Sequence, residues 1–309
     1  MTGLPYPRHV TDPAADQPTD FPTDAARRLV DIALEEDLGP DGLDVTSTAT
    51  IPADQTATGH VVAREPGVLA GGPVIALVLD GVAARTGGTP PSLDVRIADG
   101  SRIAAGDVIA VIEGSARQVL MAERTLLNVM SRLTGVASHT RRWADALAGT
   151  RCTVLDTRKT TPGLRELEKY AVRAGGGTNK RMGLFDVAMV KDNHVVAAGG
   201  VGAAYAAIRE RFPDVTIEVE VESTEQALEA LEAGSRFLMC DNMSPDLLRT
   251  TVETARQWAA DRGERVEIEA TGGLTLDTAV DYAATGIDYM SVGGLTHSSP
   301  IVDLALDLR

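Results

Sequence analysis

The chain has 309 residues, 44% of them hydrophobic and 24% charged, which suits a soluble globular protein with a full core and one or two domains. A net charge of −15 argues against general nucleic-acid binding and against docking on anionic membranes. No apolar run is long enough to span a bilayer and the N-terminus lacks a charged-then-apolar signal pattern, so a cytoplasmic location is expected.

Residues 1–23 are rich in Pro, Asp and Thr and are expected to form a disordered tail. A helix is predicted over 24–38, with Thr23 or Asp24 as its cap and Leu29, Ile32, Ala33 and Leu34 at helical spacing. Residues 39–48 read as a turn-rich acidic loop. Strand alternation follows at 56–65 and 67–70, a helix at 72–84, and short strands with glycine turns over 93–112. The short strands resemble a lipoyl- or biotinyl-carrier module. Such a carrier needs a lysine at a hairpin tip, and this chain has none before Lys159. Residues 119–136 carry a broad apolar helical stripe interrupted by Arg124, which pattern alone allows to be a side chain snorkelling to the surface.

From residue 153 the texture changes. Apolar runs at 153–155, 187–190, 216–221, 237–240, 266–270 and 289–292 alternate with helical patterns at 161–174, 202–212, 224–233, 245–262 and 275–285. Such alternation predicts βαβ units and a parallel sheet. The spacing suits an α/β barrel better than an open nucleotide-binding sheet, and no GxGxxG follows a strand. Cys152 and Cys240 lie in these runs and read as reduced core residues.

Chemistry gathers at the ends of these runs. Asp156-Thr157-Arg158-Lys159 follows the first, and Lys191-Asp192-Asn193-His194 the second. Glu218, Glu220 and Glu222 alternate on one face of the third, Asp241 and Asn242 follow the fourth, and Thr271-Gly272-Gly273 and Gly293-Gly294 follow the last two. In barrels, the C-terminal strand ends build the site and the last loops often hold a phosphate. All four lysines (Lys159, Lys169, Lys180, Lys191) lie between 157 and 191, a segment of net charge +5 in an acidic protein. Focused positive potential suits a polyanionic small molecule. For Arg165, Lys169 and Arg173 a solvated helix face is the competing reading. Glu220 and Asp241, set among cations, stay ionised; they could hold ribose hydroxyls, coordinate Mg²⁺ beside a pyrophosphate, or stabilise a cationic sugar centre. Which of the three glutamates faces the site is left open.

With these residues in view, the chain resembles the quinolinate phosphoribosyltransferase family from about residue 24 to the C-terminus. The resemblance is strongest in Glu123-Arg124-Thr125, Leu133-Thr134-Gly135, Asp156 to Thr160, Gly175 to Arg181, Lys191 to His194, and Thr271-Gly272-Gly273. It implies an N-terminal α/β sandwich over 24–134 joined by a returning tail at 296–309, and an incomplete, seven-stranded α/β barrel over 135–295. It implies transfer of phosphoribosyl from phosphoribosyl pyrophosphate (PRPP) to quinolinate with loss of CO₂, a requirement for Mg²⁺, and a homodimer or larger assembly. By the same resemblance, Arg158, Lys180, Arg181, Lys191 and the neighbouring subunit's Arg124 would bind the quinolinate carboxylates. Lys159 would face the pyrophosphate. Glu220 and Asp241 would serve the ribose and Mg²⁺, and Thr271, Gly272, Gly273, Gly293 and His297 would cradle the 5′-phosphate. The family commonly has histidine where this chain has Lys180, and a lysine does not share protons near neutral pH as an imidazole does. Three rivals are a paralogous phosphoribosyltransferase for another base, a Schiff-base lyase using Lys191, and a non-catalytic phosphate-binding protein.

Overall fold

The computed structural model describes residues 20–309. Residues 1–19 of the expected tail lie outside the described residues. Residues 20–23 make specific contacts: Phe21 packs edge-on against Tyr170 with ring centroids 5.0 Å apart, and Asp20 Oδ1 accepts from Arg173 at 3.1 Å. The chain divides into two compact units. One holds residues 142–158 and 177–293; the other holds the described residues up to 141, 159–176 and 294–309.

The second of these units begins with α1 (Thr23–Leu38) and α2 (Val45–Thr50). The loop expected over 39–48 therefore ends in a helix. Its cap is Asp44, whose Oδ1 accepts from the backbone N–H groups of Thr46 and Ser47 at 2.9 and 3.1 Å. The Ser47 hydroxyl and these amides hold the Asp44 carboxyl below its usual range. Then come β1 (Thr56–Ala63), β2 (Gly67–Val68), α3 (Val74–Thr86), β3 (Ser92–Val95), β4 (Arg102–Ile103), β5 (Val108–Ser115) and α4 (Ala116–Ala146). The core gathers Val30 and Leu34 of α1, Ile75, Val78, Leu79 and Val82 of α3, Ile109 and Ile112 of β5, and Leu126, Met130 and Leu133 of α4, all buried.

At 31 residues, α4 runs past the predicted end at 136 and through the boundary expected at 134/135. Its buried face simply continues through Ala137, Thr140 and Trp143 at helical spacing. Gly135 within it lets another segment approach, since a β-carbon there would fall 2.1 Å from the Pro300 carbonyl oxygen.

Next in the chain come β6 (Thr153–Leu155), α5 (Arg165–Ala174), β7 (Val187–Val190), α6 (Asp192–Ala198), α7 (Val201–Arg211), β8 (Thr216–Val221), α8 (Thr224–Glu232), β9 (Phe237–Asp241), α9 (Pro245–Ala260), β10 (Glu267–Thr271), α10 (Ala279–Ala283), β11 (Tyr289–Ser291), α11 (Gly294–His297) and β12 (Leu304–Leu308). β12 pairs antiparallel with β1, from Gly59↔Leu308 to Ala63↔Leu304, and completes a sheet of order β12-β1-β5-β3.

The six apolar runs become one parallel sheet of order β6-β11-β10-β9-β8-β7. Most of their apolar residues are buried, as a sheet covered on both faces requires, while β8 and β10 also carry the buried glutamates Glu218 and Glu269. Against the seven strands implied by the resemblance, six are strands here. A seventh segment meets β6 through a single parallel bridge, Leu155↔Thr178, with Thr178 N donating to Val154 O at 3.0 Å. The glycine run 175–177 before Thr178 disfavours a longer strand. No helix among the described residues is long and apolar enough to cross a membrane.

Candidate active site

Because the sheet is parallel, all its C-terminal strand ends lie along one rim. Arg158 follows β6, Lys191 follows β7, Glu220 is the penultimate residue of β8, Asp241 ends β9, Thr271 ends β10, and Gly293 follows β11. Pairing sets their depth. Asp241 lies opposite Thr271; one layer down, Met239 lies opposite both Glu220 and Glu269. Alternation puts Glu218 and Phe237 on the same face, a layer deeper.

The three glutamates of β8 separate on this frame. Glu218 is fully buried. Glu220 is ion-paired through Oε2 with Lys191 Nζ. Glu222, past the strand, is exposed, and its backbone N–H donates to Gln226 at 2.7 Å. Lys180 is buried as well. Its Nζ lies 2.7 and 2.6 Å from the two Glu269 oxygens and 3.2 Å from Glu218 Oε2. Arg181 is half-buried and donates to the Val187 carbonyl at 3.2 Å.

Asp156, the first residue after β6, is fully buried. Its carboxylate accepts from Asn179 Nδ2 at 2.6 Å and from Lys180 N at 2.8 Å. This clamp joins the strand end that carries Arg158 to the segment that carries Arg181. Its role was not legible in the motif, although an aspartate at the end of an apolar run, two residues before Arg158, was the available signal.

The glycine pair after β10 is tightly built. Gly272 and Gly273 have φ of +86° and +60°. A β-carbon on Gly272 would fall 2.3 Å from Asn242 Oδ1 and 2.9 Å from Asp241 Oδ1. Asn242 itself has φ +53°, the one non-glycine positive φ among the described residues. Such geometry persists where surroundings over-determine it and clusters at ligand sites. Glycine at 272 lets this turn pack against the Asn242 and Asp241 side chains, while a β-carbon on Gly273 would meet nothing nearer than 4.0 Å.

The remaining expected residues belong to the other unit. Arg124 is exposed on α4. Lys159 is exposed, and its carbonyl accepts from the Thr296 hydroxyl at 2.8 Å. His297 is exposed and shares a hydrogen bond between Nδ1 and the Ser298 hydroxyl. A buried network underlies these loops. Glu168, fully buried, takes Arg132 Nη2 at 2.7 Å, Thr161 N at 3.0 Å and the Thr161 hydroxyl at 2.8 Å, while Arg132 also donates to the Ser299 carbonyl at 3.0 Å. Of the helix-spaced cations of α5, Lys169 is fully buried, so the solvated-face reading fails for it. Burial pushes the Cys152 and Cys240 thiols up to about 12, which leaves no thiolate near neutral pH for either to act as nucleophile.

The glutamate and aspartate oxygens at the rim are the donors a small hard cation takes. Mg²⁺ typically uses one or two protein carboxylates together with substrate phosphates and water. Glu220 and Asp241 fit that pattern.

Known proteins match along nearly the whole chain. Residues 44–134 match the family model described as quinolinate phosphoribosyl transferase, N-terminal domain, and residues 136–307 the C-terminal domain of the same family. The nicotinate-nucleotide pyrophosphorylase [carboxylating] of Mycobacterium leprae is 45% identical over 94% of this chain and 99% of its own. The probable nicotinate-nucleotide pyrophosphorylase [carboxylating] of Bacillus subtilis is 38% identical over 91% and 93%. Among solved structures, the nicotinate-nucleotide pyrophosphorylase of Francisella tularensis superposes with a TM-score of 0.85 at 31% identity, covering 95% of this chain and 99% of that one.

Proposed function

Since the chain belongs to the quinolinate phosphoribosyltransferase family, we propose that it transfers phosphoribosyl from PRPP to quinolinate with decarboxylation, giving nicotinate mononucleotide, pyrophosphate and CO₂ in NAD biosynthesis. The observation that carries this reading is the convergence on one sheet rim of Arg158, Lys191, Glu220, Asp241, Thr271 and Gly293. Cations, carboxylates and a glycine cradle together suit a dicarboxylate meeting a phosphorylated sugar.

In this reading, Arg158, Arg181 and Lys191 bind the quinolinate carboxylates, and the neighbouring subunit's Arg124 completes the set. Lys159 faces the pyrophosphate. Thr271, Gly272, Gly273, Gly293 and His297 cradle the 5′-phosphate. The quinolinate nitrogen attacks ribose C1 as the bond to pyrophosphate oxygen breaks, through a transition state with positive charge on the sugar. Glu220 and Asp241 stabilise that charge and hold the ribose hydroxyls. The ring nitrogen, now cationic, then accepts electron density as the C2–carboxylate bond breaks. CO₂ leaves, and ring C2 takes a proton from water. No side chain becomes a covalent nucleophile. Glu220 and Asp241 would hold Mg²⁺, which when bound would neutralise charge building on the departing pyrophosphate.

The sheet order, with first and last strands adjacent and Thr178 bridged to β6, supports an incomplete α/β barrel as the catalytic domain over 135–295. The sandwich reading of 24–134 with 296–309 is supported by the β1–β12 pairing. A homodimer is supported by large apolar side chains that the described residues leave exposed. Leu184, Phe185 and Val196 are 73%, 82% and 82% exposed, and α6 buries none of its residues. Free, buried cysteines favour a cytoplasmic location. The ion pair from Lys191 to Glu220 disfavours the Schiff-base rival, which needs a neutral amine.

The test is a coupled measurement. With quinolinate, PRPP and Mg²⁺, nicotinate mononucleotide and CO₂ should form in equal amounts, and Arg158→Ala should lower kcat/KM for quinolinate by at least about 100-fold, the order expected for loss of a charged, desolvated contact. Turnover with nicotinate but not quinolinate would discard the dicarboxylate half of the reading.

A further inference from the structure

Lys180 stands where the anion-rich chemistry would place a substrate ligand, yet its surroundings are already full. An ammonium has three N–H donors. Around Lys180 Nζ lie four acceptors: Glu269 Oε1 at 2.7 Å, Glu269 Oε2 at 2.6 Å, Glu218 Oε2 at 3.2 Å and Met239 Sδ at 2.9 Å. The Phe237 ring lies 5.8 Å from the nitrogen. The Lys180 side chain is 4% exposed, and those of Glu218 and Glu269 are both 0%.

Strand register gives the depth of this cluster. Glu269 lies two residues before Thr271, and Glu218 two residues before Glu220. Two residues of a parallel strand rise about 6.6 Å, so Glu269, level with Met239 and Glu220, lies one layer below Asp241 and Thr271, and Glu218 lies one layer below Glu220. Its backbone is fixed too, since Lys180 N donates to the buried Asp156 carboxylate. The side chain therefore reaches inward, across β9, to carboxylates on β8 and β10.

We propose that Lys180 is an internal counter-ion and not a substrate ligand. It offsets one of the two negative charges of Glu218 and Glu269, and so reduces the repulsion that this buried pair would exert on a dicarboxylate held above it. The functional part of this inference rests on the proposed reaction. Lys180 thus acts on affinity through Glu218 and Glu269, as a positioning residue. An uncompensated charge about 8 Å from a bound carboxylate, at an effective dielectric near 20, would weaken binding by about thirtyfold.

Four proteins decide it: wild type, Lys180→Met, the Glu218→Gln/Glu269→Gln double variant, and the triple variant that combines them. For each, quinolinate Kd is measured by calorimetry and Tm by scanning calorimetry. Lys180→Met should raise Kd about thirtyfold and lower Tm. The triple variant, with no buried charge left, should bind quinolinate at least as tightly as wild type and recover Tm to within a few degrees. If the triple variant melts like wild type yet binds as weakly as Lys180→Met, Lys180 is a ligand and the proposal falls. Normal quinolinate binding by Lys180→Met would also overturn it. If Lys180→Met does not fold, the triple variant alone decides between these outcomes. If wild type itself does not bind quinolinate, the proposed reaction fails, and the counter-ion assignment is judged on Tm: recovery in the triple variant upholds it and no recovery rejects it.

Discussion

At the scale of the residue, the rim depends on positions where one atom more would not fit. Gly272 combines φ +86° with a neighbour 2.3 Å from where its β-carbon would lie. An alanine there takes on backbone strain of about 1–3 kcal/mol and must push away the Asn242 amide and the Asp241 carboxylate. Gly272→Ala is therefore expected to raise KM for PRPP at least about tenfold. The far-UV circular dichroism should be unchanged, because the strain is local to the turn after β10. Unchanged PRPP kinetics would show that the 5′-phosphate is not cradled there. Asn242 was visible in the sequence only as a polar residue after a strand. Its left-handed backbone, which frees the chain to turn beside Asp241, is a property of the folded turn.

At the scale of the element, α4 and α5 are joined by a charge pair that carries loops with it. Arg132 on α4 meets Glu168 on α5, and both oxygens of Glu168 also hold Thr161, two residues after Lys159. Arg132 is 21% exposed and Glu168 0%. Removing one partner of such a pair leaves the other buried without compensation. Glu168→Gln should thus lower unfolding free energy by about 3 kcal/mol, read from urea denaturation at constant m-value. A change below about 0.5 kcal/mol would mean that the pair is solvated in solution. Periodicity found α4, but gave neither its full length nor this pairing. Arg132 and Glu168 sit in different helical patterns, and nothing in spacing says that two helices 36 residues apart at these positions touch.

At the scale of the whole molecule, the proposed homodimer can be tested through Arg124, which is exposed on α4. If Arg124 serves the neighbouring subunit's site, two inactive variants should rescue one another. Mixing Arg124→Ala with Arg158→Ala, with subunit exchange, gives hybrids with one intact site each. Because hybrids make up half of a random mixture, activity should return to roughly a quarter of wild type. No recovery in a mixture shown to exchange subunits would place Arg124 in its own chain's site or outside any site.

The sequence by itself determined the six parallel strands, because short apolar-rich runs alternate with helices that show a 3.6-residue period. It also determined which residues stand on the rim, because a parallel sheet puts every strand end on one side. Helix α6 escaped it, since Asp192–Ala198 is short and buries no residue, so no apolar period marks it. Only the tertiary structure decided what each charge faces. The pairing of Lys191 with Glu220, the burial of Glu218 and the enclosure of Lys180 between Glu218 and Glu269 depend on strand register and depth. Register is set by how neighbouring strands pack, and two residues along a strand separate a group at the rim from one buried beneath it.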